Sequence, residues 1–141
     1  MNWIFWALLS AFFAGLTAVL AKIGVTGVDS NLATAVRTSV VLVFTWSIAF
    51  STNPDVTGAL LRLSHHTWVF LMLSGVATGL SWLCYFRALQ LGEASRVAPV
   101  DKLSVVFAIV FAAVLLRERI GWQQLMGGSF VVVGAVILAI K

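Results

Sequence analysis

The sequence is poor in charge. Of its 141 residues only 10% are Asp, Glu, Lys or Arg, with five acids in all, while 61% are hydrophobic; a typical soluble domain carries about 25% charged residues. A water-soluble fold of this size could not hide so much apolar surface, and no room is left for a soluble catalytic domain. Cysteine is nearly absent. Cys84 stands alone inside a long apolar run, which excludes a disulfide and a tetrahedral thiolate metal site. The two histidines, His65 and His66, are adjacent and lack a third ligand at metal spacing, so they read as solvated loop residues. No nucleophile–base pair and no phosphate loop stands in the chain, so neither enzymatic chemistry nor a cofactor is expected. The net charge of +4 comes from basic residues scattered at the ends of apolar runs, which argues against nucleic acid as a partner.

What the sequence has in abundance is long apolar runs. Five of them, Trp3–Ala21, Leu32–Phe50, Trp68–Leu91, Val97–Leu116 and Gly121–Ile140, approach the roughly 20 helical residues that cross a bilayer core of about 30 Å. The expectation is an all-α integral membrane protein, a bundle of five transmembrane helices forming one domain over residues 1–141. The first run lacks a basic leader and a small-residue cleavage pattern, and reads as a retained span rather than a signal peptide. Tryptophan placement supports the count. With five spans, Trp3, Trp6, Trp68 and Trp122 fall at one interface and Trp46 lies toward it, as an aromatic belt requires.

The connections carry turn and cap residues. Asp29, Ser30 and Asn31 are each able to cap the second span, the Ser51–Asp55 cluster ends it, and Gly58 to Thr67 reads as an interfacial helix or loop. Ser95 reads as the cap of the fourth span. That places Pro99 in the first turn, where a missing N–H costs little and the helix need not break.

Charge inside the apolar runs is the strongest functional signal, because a charged side chain at the bilayer centre costs about 2.5–3.5 kcal/mol on insertion scales. Arg87 and Asp101 lie seven residues either side of Ala94, so a hairpin turning there would hold both at roughly 10 Å from the turn, able to pair. Lys22 and Arg37 are placed in the same way about the first connection, where snorkelling to the interface is the competing explanation. Lys22, Arg37, Arg87, Asp101 and Lys102 are therefore the candidate substrate-binding or gating residues. Lys102, about 100° around the helix from Asp101, is the expected cavity-facing group. Small residues mark candidate packing faces: Gly75 and Gly79 among Ser74, Thr78 and Ser81 in the third span, and Gly127 and Gly134 in the fifth. The third-span face fits either helix packing or the wall of a cavity.

Basic residues divide unequally between the two sides. Arg62, Arg117 and Arg119 are on the N-terminal side; Lys22, Arg37, Arg87, Arg96, Lys102 and Lys141 are on the other. Three against six places the C-terminus in the cytoplasm. If Lys22, Arg37, Arg87 and Lys102 are held within the bundle, the count becomes three against two and specifies no orientation.

The Ala-Leu-x-x-Gly exit at Ala88–Gly92, the Ala-Ser-x-Val-Ala-Pro entry at Ala94–Pro99, Glu118 at the following turn and the glycines of the last span resemble the EamA-type repeat of the drug/metabolite transporter superfamily. Full-length members have ten spans, two such repeats of opposite orientation around a central cavity, and this chain carries one. The resemblance implies a small-molecule transporter, in the inner membrane of a prokaryote, working by alternating access as an antiparallel homodimer; the alternative is a non-transporting accessory subunit that pairs with another repeat. The small multidrug resistance family is a related precedent for antiparallel pairing and has similar glycine spacing in its last helix. Its first helix carries a Glu eight positions before a Lys, where this chain has Ala14 before Lys22, and the acids between Met1 and Leu91 are the loop residues Asp29 and Asp55. Proton-coupled export of cationic drugs by that route is therefore not expected. Asp101-Lys102 falls at a position similar to an Asn-Lys pair that contributes to ligand binding in nucleotide-sugar transporters, with an acid in place of the amide.

Overall fold

The computed structural model of the chain describes residues 2–140. They form seven α-helices: α1 (Trp3–Val25), α2 (Ser30–Thr52), α3 (Val56–Leu61), α4 (His65–Leu91), α5 (Ala94–Asp101), α6 (Ser104–Leu115) and α7 (Trp122–Ala139), with no strand among the described residues. Five stretches are long and apolar enough to cross a membrane: α1, α2, α4, α5 with α6 taken together, and α7. The expected all-α membrane bundle of five spans is therefore what the chain forms. Lys141, counted above among the basic residues, lies outside the described residues.

Local chemistry sets the helix ends. Of the three possible caps before α2, Asp29 takes the role, its carboxylate accepting from the amides of Asn31 (2.9 Å) and Leu32 (3.0 Å). The turn before it passes through Gly27 at φ +77°, a conformation glycine adopts without strain. Asp55 caps α3 through Gly58 N–H at 2.9 Å, which makes the predicted interfacial segment a short helix. Ser64 Oγ accepts from Thr67 N–H at 3.1 Å, so α4 starts at His65 rather than at Trp68. His65 and His66 are thus in its first turn and not in a loop, and the His66 ring lies 4.6 Å from that of Phe70.

The fourth span departs most from expectation. Its N-cap is Glu93, which makes no side-chain capping bond, so Pro99 falls in the second turn of α5 instead of the first. The span is then interrupted: α5 stops at Asp101 and α6 resumes at Ser104. Through the gap the backbone tightens to three-residue spacing, with Leu103 N–H donating to Val100 O (3.0 Å) and Val105 N–H to Lys102 O (3.1 Å). Pro99 supplies no N–H to the α-helical ladder here, which leaves this part of the span less strongly tied to α-helical geometry.

The chain divides into two compact units, one running to Ile23 and resuming at Ala88, the other Gly24–Arg87. In the first, α7 packs on α5 and α6, and Ala18, Ala21, Leu89, Gly128 and Ala135 are buried. Val25, Ser30, Thr34 and Phe86 are the buried residues of the second. Hydroxyls inside the spans are satisfied by their own helix, as with Thr34 on Ser30 O (2.7 Å), Thr38 on Thr34 O (2.7 Å) and Thr78 on Ser74 O (2.9 Å). Such back-bonding lets polar side chains sit at membrane depth without a partner from another helix.

Candidate functional site

Four of the five charged candidates, Lys22, Arg37, Asp101 and Lys102, have defined partners. Lys22, in the last turn of α1, donates from Nζ to the carbonyl oxygens of Leu89 (2.6 Å) and Gly92 (2.8 Å) at the end of α4. Carbonyls in a helix's last turn have no intrahelical donor, and the negative end of the helix dipole favours a cation there. Two of the three ammonium donors are committed to this cap. The Ala-Leu-x-x-Gly sequence at Ala88–Gly92 gains a physical meaning. Leu89 is fully buried, Ala88 O accepts from Gly92 N–H at 2.8 Å, and a Cβ on Gly92 would stand 3.1 Å from Val97 Cγ2. The motif builds the acceptor pair that Lys22 grips.

Arg37, in the second turn of α2, is held differently. Its guanidinium carbon lies 4.1 Å from the centre of the Trp82 ring and 5.6 Å from that of Phe86, both on α4. Its Nη1 is buried and has no hydrogen-bond partner. A guanidinium on an aromatic face gains about 0.5–2 kcal/mol from the ring quadrupole, and its in-plane N–H fork is left to find other acceptors. Trp82 and Phe86 were not singled out by sequence reasoning. The available signal was that Trp82 is the tryptophan the five-span count leaves off the aromatic belt, with Phe86 one helical turn further on.

Asp101 and Lys102 flank the interruption of the fourth span, and Lys102 Nζ lies 3.5 Å from Asp101 Oδ2, with side-chain exposures of 55% for Lys102 and 36% for Asp101. Neighbours in a regular helix diverge by about 100°, the basis for expecting one to pair inward and the other to face a cavity. Because the helix ends at this dipeptide, the two side chains meet each other instead. Arg87 is exposed near the end of α4. Arg96 pairs with Glu93 (3.1 Å) in the first turn of α5.

The four glycines expected to form packing faces all stand open within the chain: a Cβ on Gly75, Gly79, Gly127 or Gly134 would meet nothing within 4 Å. Within α7 the glycine that receives a neighbour is Gly128, where a Cβ would lie 3.6 Å from Ile109 Cδ1 of α6. Buried Gly128 and Ala135 repeat the seven-residue spacing of Gly127 and Gly134, one residue around the helix. Two shallow apolar grooves, of about 330 Å³ against Ile109 and Gln124 and about 400 Å³ against Trp46 and Leu60, include none of the charged candidates. No cluster of His, Cys, Asp or Glu able to hold a metal occurs among the described residues.

Residues 1–140 match the EamA-like transporter family. A protein of Sinorhizobium sp named "Uncharacterized transporter in cobO 3'region" is 48% identical over 139 residues, covering 99% of this chain and 97% of that protein. An "Uncharacterized transporter" of Archaeoglobus fulgidus is 26% identical over 135 residues, which is 96% of this chain but 45% of the longer protein. No solved structure matches the chain. With five membrane-crossing stretches and a family match along nearly its whole length, this chain is an integral membrane protein of the drug/metabolite transporter type and belongs to the EamA-like transporter family.

Proposed function

We propose that the protein carries a small molecule across the cytoplasmic membrane of a prokaryote by alternating access, as an antiparallel pair of identical chains. The observation that carries this reading is the interrupted fourth span, with Asp101 and Lys102 at the break. Substrate sites in secondary transporters are built where membrane helices are discontinuous, because freed backbone groups and charges can be tolerated there only against protein or a water-filled cavity. The break starts eight residues into the span, roughly 12 Å from its end at helical rise.

Three further observations support pairing. The Archaeoglobus relative is more than twice the length matched here, room for a second repeat, whereas the Sinorhizobium relative is about the length of this chain. Gly75, Gly79, Gly127 and Gly134 stand open. Lys22 and Arg37 are engaged with carbonyls and aromatic rings, so they weigh less as orientation signals and the basic bias falls toward balance. A chain with so little bias can insert both ways.

Reporter fusions at the C-terminus test this. Activity on both sides of the membrane is the expected result; a signal from one side alone, unchanged on neutralising Arg117 and Arg119, would exclude the antiparallel homodimer and favour an accessory subunit that pairs with a different repeat.

A further inference from the structure

We propose that Arg37, seated on Trp82 and Phe86, is the recognition point for an anionic substrate bearing an oxyanion group, a carboxylate or a phosphate; this rests on the transporter reading above. The charged candidates are four bases, Lys22, Arg37, Arg87 and Lys102, and one acid, Asp101, a surplus of three positive charges among them. The acid is already beside Lys102. Lys22 is engaged by the carbonyls of Leu89 and Gly92. Arg37 is held by rings, which orient its plane but accept none of its N–H groups in the way an oxygen does.

An arginine buried in part at membrane depth is costly unless its charge is met, and no acid among the described residues pairs with it. Nη1 is enclosed and without a partner, so contact with a ligand falls to the other N–H groups of the guanidinium. The Trp82 ring holds the guanidinium in place, and the planar fork of its remaining N–H groups can grip two oxygens of a carboxylate or phosphate at once. The partly buried indole beside it offers an apolar surface to the body of such a molecule. A cationic substrate would meet like charge at Arg37.

The ligand chemistry has two sources, a soluble anion or an anionic lipid headgroup, and the test separates them. Purified protein in nanodiscs of phosphatidylcholine is titrated with benzoate, inorganic phosphate and tetraethylammonium at constant ionic strength, and binding is read from thermal stabilisation and tryptophan fluorescence. Benzoate or phosphate should bind and tetraethylammonium should not. Arg37→Lys keeps the charge but loses the fork, and should weaken anion binding by about tenfold or more, the equivalent of one good hydrogen bond. Arg62→Gln, in a loop, should leave it unchanged. If Arg37→Gln fails to fold, Arg37→Lys and Trp82→Phe carry the test. Equal anion binding by wild type and Arg37→Lys, or tetraethylammonium binding as well as benzoate, would overturn the proposal. A response to added phosphatidylglycerol with none to benzoate or phosphate would also overturn it, by assigning Arg37 to lipid. Binding in nanodiscs needs no gradient, so Arg37-dependent anion binding without transport in liposomes would refute the transporter reading and leave the site intact.

Discussion

Replacing Lys22 by Met removes the ammonium while keeping an unbranched apolar stem, and so isolates what the cap on α4 contributes. Two hydrogen bonds of 2.6 and 2.8 Å are lost. Hydrogen bonds to a charged group contribute about 1.5–3 kcal/mol each. Immobilising a lysine side chain costs about 1.5–2 kcal/mol in rotamer entropy, which the substitution partly returns. The expected net loss is about 2–4 kcal/mol, larger than the 0.2–1 kcal/mol of an exposed ion pair because the donor is charged and the acceptors are left part-buried. Titration of the purified protein from mild detergent into dodecyl sulfate, followed by far-ultraviolet circular dichroism and tryptophan fluorescence, measures it. Gly92→Ala perturbs the same cap from the other side, since its Cβ would press on Val97 Cγ2. The two changes should therefore be non-additive, with a coupling of at least about 0.5 kcal/mol. A loss below about 0.5 kcal/mol for Lys22→Met, additive with Gly92→Ala, would show that the carbonyls are served equally well by water and refute the cap.

Gly127→Leu and Gly134→Leu should leave the stability of the single chain nearly unchanged and weaken assembly, seen as reduced crosslinked dimer in detergent, because these positions are open within the chain. Gly128→Leu should do the reverse, overfilling the contact with Ile109 at a cost of about 1–3 kcal/mol; full dimer recovery for Gly127→Leu and Gly134→Leu would show that face meets lipid. Asp101→Asn removes the partner of Lys102 from a pair at 3.5 Å that is partly exposed, and folded yield should reflect a loss under about 1 kcal/mol. A loss of about 3–5 kcal/mol restored by adding Arg87→Gln would instead show that Asp101 serves a buried Arg87, as their equal spacing about the turn suggests. Lys102→Gln should abolish transport in liposomes while preserving fold, and unimpaired transport would remove Lys102 from the site.

The sequence by itself determined the number of spans, the all-α class and the family resemblance, because these follow from short-range physics. Apolar run length against bilayer thickness counts the crossings, and Asp29 and Asp55 cap from within three residues of the amides they serve. It also picked out Lys22, Arg37 and the Asp101-Lys102 dipeptide, because charge in an apolar run stands out in one dimension. Hydropathy does not show what such a charge meets. The carbonyls that hold Lys22 lie 67 and 70 residues away, and the rings under Arg37 are on another helix. Rotation of α7 about its axis decided that Gly128 and Ala135, rather than Gly127 and Gly134, face inward. A seven-residue spacing is the same for both pairs, and only packing against α6 separates them. The break at Asp101–Leu103 was likewise hidden, since Pro99 reads as harmless or disruptive according to where the helix starts, and Glu93 rather than Ser95 became the cap. One-dimensional pattern thus fixed which residues are unusual, and the fold decided which surfaces they face, because facing is a property of pairs of helices and not of either one alone.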